Sequence, residues 1–174
     1  GEGGGFKSPT PVSTMVLLPL IASKVDVPII AAGGFVDGPT MAAAFALGAE
    51  GIQMGTRMVS AAESPIHDNW KQAVLAARET DTVFLNRHTK PALRALRTER
   101  TTALEFDTET NAMALFGRAM DLYFGGDMEA AIALSGQVAG RIDAIEPVAD
   151  IIHRTATDCL AILQDLAKRY PLHP

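Results

Sequence analysis

The sequence has 174 residues, 48% of them hydrophobic and 20% charged, with a net charge of −5. That composition supplies one globular domain with a substantial core, and without a basic cluster it argues against nucleic acid as the main partner. Cys159 is the only cysteine and falls in an apolar helical pattern, so a disulfide framework and a cysteine metal cluster are excluded. The apolar run 15–21 is too short to cross a bilayer and no leader pattern opens the sequence, so a soluble, cytoplasmic protein with no membrane partner is expected.

The chain opens on Gly1-Glu2-Gly3-Gly4-Gly5-Phe6-Lys7-Ser8-Pro9, whose consecutive glycines give flexibility and close backbone approach. Lys7 reads either as a positive charge near a bound anion or as a solvated loop lysine. Residues 14–24 are mostly apolar, with Ser13 or Thr14 as the cap, and predict a helix bent or begun near Pro19. A continuous apolar strand over Ile29–Ala32 fits a parallel strand buried on both faces. It ends in Gly33-Gly34, where backbone N–H groups have no side chain above them and an anionic group can approach.

Asp37-Gly38-Pro39 starts the next helix, with Asp37 as cap, and Gly48 marks its end. The strand over Gly51–Met54 then leads to Gly55-Thr56-Arg57, which repeats the glycine device and adds a hydroxyl and a positive charge. Gly33, Gly34, Gly55 and Thr56 are therefore the candidate anion site, and Gln53 and Met54 either line it or fill the core. Arg57 reads either as a phosphate partner or as the bridge to a neighbouring carboxylate.

Residues 67–78 predict an amphipathic helix with Trp70, Val74 and Leu75 on its apolar side and His67 as a surface or capping residue. Residues 82–85 read as an edge strand, and 86–90 as a polar basic loop in which Arg87 and His88 either meet a cofactor or stand in solvent. From Pro91 onward the pattern is helical over 92–105, 110–124, 128–139 and 146–170, with Arg94, Arg97 and Arg100 on one helical face. The final helix carries Val148, Ile151, Ile152, Thr155, Cys159, Ile162, Leu163 and Leu166 at spacings of three and four, and so needs a partner surface.

The segment 31–59, AAGGFVDGPTMAAAFALGAEGIQMGTRMV, resembles the FMN-phosphate segment of the nitronate monooxygenase family, once called 2-nitropropane dioxygenases. That family includes NADH:quinone reductases and is similar to the flavin-dependent enoyl-ACP reductases. Weaker likeness continues at Ser64-Pro65-Ile66-His67, Ser135-Gly136-Gln137 and Glu146-Pro147.

The resemblance implies an α/β fold, the C-terminal half of a (β/α)8 TIM barrel, strands 6–8, over residues 1–80, with a mostly helical cap or substrate domain over 81–174. The N-terminal half would be supplied in cis or as a separate chain, and homo-oligomers are allowed. It implies FMN held at Gly4, Gly5, Ala32, Gly33, Gly34, Gln53, Met54, Gly55 and Thr56, with NADH or NADPH as a co-substrate and Gln137 facing a small-molecule substrate. The implied reaction is nitronate oxidation with O2, a monooxygenase activity. The family's histidine base, however, aligns with Phe6, which cannot take a proton, so a quinone or enoyl reductase stands beside it. A non-catalytic phosphate-ligand or assembly subunit is the third alternative.

Overall fold

The computed structural model describes residues 1–171, apart from the side chain of Leu115. Its strands are β1 (Gly5–Lys7), β2 (Ile30–Ala32), β3 (Gly51–Gln53), β4 (Thr82–Leu85) and β5 (Ala92–Leu96). The α-helices are α1 (Thr14–Ala22), α2 (Gly38–Ala46), α3 (Thr56–Val59), α4 (Asp68–Ala76), α5 (Glu99–Leu104), α6 (Ala119–Tyr123) and α7 (Val148–Arg169), with 3-10 turns at Ala112–Arg118 and Gln137–Arg141.

β2 and β3 pair in parallel, Ile30 with Gly51 through Ala32 with Gln53, and α2 makes the crossover between them. Asp37 starts α2 with a capping box: its Oδ1 accepts from Thr40 N at 3.0 Å while its own N–H donates to Thr40 Oγ1 at 3.1 Å. Gly48 ends the helix with φ +98°, the left-handed conformation that glycine adopts without strain. The expected cap and stop are both present.

α2 packs against α7, where a side chain on Gly38 would come within 2.7 Å of Cys159 N. This is the partner surface that the apolar stripe of α7 requires, with Ile151, Thr155 and Cys159 buried. Ile152 and Leu166, assigned to the same stripe, are exposed.

A second sheet is antiparallel, in the order β1-β5-β4. Its presence corrects the reading of 92–105 as one helix: residues 92–96 form the central strand, and the helix begins only at Glu99, capped by Thr98. Arg94, Arg97 and Arg100 therefore lie on a strand, a connector and a helix rather than on one helical face. The reading of 128–139 as a helix is corrected as well. After a turn, the chain runs through the buried residues Ala131, Ile132, Ala133 and Ser135 in a non-helical path, and Ala133 O accepts from Leu96 N at 2.9 Å.

The region 81–174 is thus not mostly helical throughout, and its β5 pairs with β1 at Gly5–Lys7. β2 departs from expectation in one respect: Ala31 is buried but Ile30 is 61% exposed, because no neighbouring strand or helix among the described residues covers its side. Exposed Met15, Val16, Leu20, Ile21 and Val27 extend that surface across α1. No helix among the described residues is long and apolar enough to cross a membrane.

Candidate active-site cleft

The C-terminal ends of β2 and β3 open onto a cleft of about 310 Å3. Its walls contain Gly4, Gly5, Ala32, Gly33, Gly34, Gln53, Gly55 and Thr56, eight of the nine residues assigned to cofactor binding from the sequence. Met54, the ninth, does not line the cleft and is a partly buried filler. Position at the carboxyl ends of parallel strands is where α/β folds place their ligands.

Gly33 and Gly34 have φ of +93° and +92°, a conformation that admits backbone approach and that other residues adopt only with strain. Gly33 lies against the first glycine run, where a side chain on Gly3 would meet Gly33 Cα at 2.9 Å. Glu2 fixes that contact. Its carboxylate accepts from Thr14 N and from Thr14 Oγ1, and Thr14 Oγ1 also lies 3.0 Å from Gly33 O. Burial raises the Glu2 carboxyl's pKa, but hydrogen bonds from Thr14 and from the Glu2 backbone, with the charge of the terminal amine, together leave the carboxyl below its ordinary value.

Gly55 opens α3 at φ −92°, and a Cβ built there meets no atom within 4 Å. The Thr56 hydroxyl accepts from Gly136 N at 2.9 Å and keeps its own proton to donate. Gln137 N donates to Glu2 O at 2.9 Å, so the segment around Gly136 ties the first and third glycine turns together. Gln137 itself does not line the cleft; Leu134 and Val138 do, supplying an apolar wall with Val59 and Phe35. No sequence signal distinguishes these four from core residues.

Arg57 is buried and turns away from the cleft. It ion-pairs with Glu146 and donates to Ala144 O at 2.8 Å, the bridging reading rather than the phosphate reading. Burial lowers the Arg57 pKa and Glu146 partly restores it. Glu146 also receives a two-pronged contact from Arg154 of α7, the main reason its carboxyl lies below the ordinary range.

Phe6 does not line the cleft either. It is 56% exposed and its ring lies 6.0 Å from that of Phe116, while its strand neighbours Gly5 and Lys7 both face the cleft. Strand alternation puts position 6 on the opposite side from 5 and 7. Among the described residues Lys7 is the one ionisable side chain in the wall, and its Nζ donates to Gly4 O at 2.9 Å. Burial, then the nearby Arg94, hold its pKa below the ordinary lysine value. His67 caps α4 by accepting from Asn69 N at 3.1 Å, and Arg87 and His88 are exposed.

A parallel β-α-β unit that delivers glycine turns to one cleft at its strand ends defines an α/β protein with a ligand site of the α/β type. A model described as nitronate monooxygenase matches residues 1–158, and the chain belongs to that family of TIM-barrel proteins. The structure of FabK from Thermotoga maritima superposes with a TM-score of 0.90 at 36% identity, over 97% of this chain and 55% of that one. A (3aS,4S,5R,7aS)-5-hydroxy-7a-methyl-1-oxo-octahydro-1H-indene-4-carboxyl-CoA dehydrogenase of Mycobacterium tuberculosis is 30% identical over 210 residues, covering 94% of this chain and 59% of the relative. Its namesake in Rhodococcus jostii is 43% identical over 105 residues, 60% of this chain and 29% of the relative. The chain thus spans little more than half, or less, of each of these proteins.

Proposed function

We propose that this chain forms the phosphate-holding side of an FMN site in an oxidoreductase that acts on an enoyl or acyl thioester, with NADH or NADPH as a co-substrate where reduction is the direction. The observation that carries the reading is the cleft itself: glycine turns with left-handed φ, open space above Gly55, and walls in which none of the described residues is a histidine or a carboxylate.

The residues present fit the cofactor. Gly55 leaves room for a phosphate, Gly33 and Gly34 line the same cleft with bare backbone, and the Thr56 hydroxyl has a proton to give. Gly4, Gly5, Ala32 and Gln53 form the adjoining wall. Bound FMN supplies hydride and electron transfer that no side chain here provides. The protein's own contribution is position and electrostatics: Glu2 and Thr14 hold the first two turns in register, Gly136 holds the third, and Lys7 supplies the local positive charge.

Thioester chemistry is supported by the carboxyl-CoA dehydrogenases among the relatives. Nitronate oxidation is the second reading, favoured by the family itself. It requires a base on the substrate carbon, and Phe6 provides none. The exposed apolar surface of α1 and β2 is where we place the remaining barrel strands, in cis or as a separate chain.

The test is an absorbance spectrum of the purified protein between about 350 and 500 nm, repeated anaerobically with NADH, NADPH, an enoyl-CoA thioester and an alkyl nitronate. A flavin band bleached by a reduced nicotinamide and restored by the thioester supports the proposal. Bleaching by the nitronate alone restores the second reading, and a protein that cannot be loaded with FMN sinks both.

A further inference from the structure

Lys7, Arg87 and Lys90 lie at the end of the β1-β5-β4 sheet where β4 connects to β5, and Arg94 stands on the central strand beside them, in a chain whose net charge is −5. None of the four lies within salt-bridge distance of a carboxylate among the described residues, whereas Arg57, Arg78, Arg97, Arg118, Arg141 and Arg154 all do. The guanidinium groups of Arg87 and Arg94 stand 5.2 and 5.3 Å from the centre of the same Phe84 ring. Arg94 in turn lowers the pKa of Lys7, so these cations sit close enough to repel one another. Glu2, the nearest acid acting on both Lys7 and Arg94, spends its oxygens on Thr14.

Like charges held together with no carboxylate in direct contact carry an electrostatic cost that an anion relieves. The surface beside them is shaped to receive one. Lys7 and Lys90, with Ser8, Pro9 and Pro91, line an open groove of about 460 Å3, and Lys7 also lines the glycine cleft. Groove and cleft therefore share a wall residue, and a ligand lying along the groove enters the cleft past Lys7.

We propose that this groove binds the adenosine-pyrophosphate arm of the co-substrate, with Lys7 and Lys90 of its wall as the phosphate contacts, Arg87 of the same β4–β5 connection adding positive charge beside them, and the reactive end reaching the cleft. This rests on the thioester oxidoreductase reading above. Two compounds carry that arm in such a reaction, coenzyme A thioesters and the nicotinamide dinucleotides, and the shared chemistry is what the cations recognise. A lysine or arginine to phosphate contact is a charge-assisted hydrogen bond, strong enough to change affinity about tenfold when one is lost.

The test is titration calorimetry of the complete protein with coenzyme A and with NADPH, each at two salt concentrations, on the wild type, Lys90→Glu and Arg87→Glu. Both substituted residues are exposed. The proposal expects each variant to weaken at least one coenzyme about tenfold and to flatten its salt dependence, with the melting temperature unchanged. Loss for coenzyme A alone assigns the groove to the thioester, loss for NADPH alone to the reductant, and loss for both to either in turn. Unchanged affinity for both coenzymes, or no binding of either to the wild type, overturns it. FMN content, read from the visible spectrum of the same samples, reports separately on the flavin site.

Discussion

At Gly55 neither the backbone angle nor a neighbouring atom demands glycine, so the space above it is available to a ligand rather than to the fold. Gly55→Asp should therefore fold normally, since Asp is a favoured first residue of a helix. It should also lose FMN, because its carboxylate would stand where we propose that the phosphate is held. Flavin retention by gel filtration and a thermal melt check the two halves of that statement, and retained flavin would refute the assignment. Phe6→His tests another residue. The side chain faces away from the cleft, so the variant should show no nitronate oxidation above the wild type in an oxygen-uptake assay. The glycines were legible because their chemistry lies in the backbone and their spacing survives in the linear sequence. Which way Phe6 and Gln137 face was not, because it depends on pairing with β5 and on the bond from Gln137 N to Glu2.

Gly38 is required for the opposite reason to Gly55, since any side chain there collides with α7. Gly38→Val should cost about 2 kcal/mol or more by overpacking, measured by denaturant unfolding, with α7 loosened from α2. A second tether of α7 is the Arg57, Glu146 and Arg154 group. Glu146→Gln leaves the buried Arg57 without its counter-charge and should cost about 2–3 kcal/mol. Because the Glu146 carboxyl is held below its ordinary value, its contribution is present above about pH 4.5 and fades as pH falls through the lower folded value. An acid titration should show the wild type losing that increment and Glu146→Gln lacking it.

α2 was readable in advance from its cap, proline and terminal glycine, all local signals. β5 was not: Ala92-Leu93-Arg94-Ala95-Leu96-Arg97 is made of helix-forming residues, and the demand for a strand between β1 and β4 overrides them. The run Ala130-Ala131-Ile132-Ala133 misleads in the same way. It is buried on every side, so no periodicity marks which face is inside.

At the scale of the whole molecule, α1, β2 and the segment between them carry a series of exposed apolar residues, of which Met15, Val16, Val27 and Ile30 are each more than half exposed. A contiguous patch of this kind promotes association. The 174-residue chain alone should self-associate in sedimentation runs, and Val16→Lys with Leu20→Lys should return it toward the monomer. The bond from Gly136 N to the Thr56 hydroxyl spans 80 positions of sequence, and contacts of such separation form late because closing the intervening loop is entropically slow. The β2-α2-β3 unit is local and can form first. The third turn of the cleft gains its support only when the returning segment arrives, so in a refolding experiment flavin capture should trail the recovery of helical signal. The cofactor would then be a clock that records the last tertiary event rather than the first.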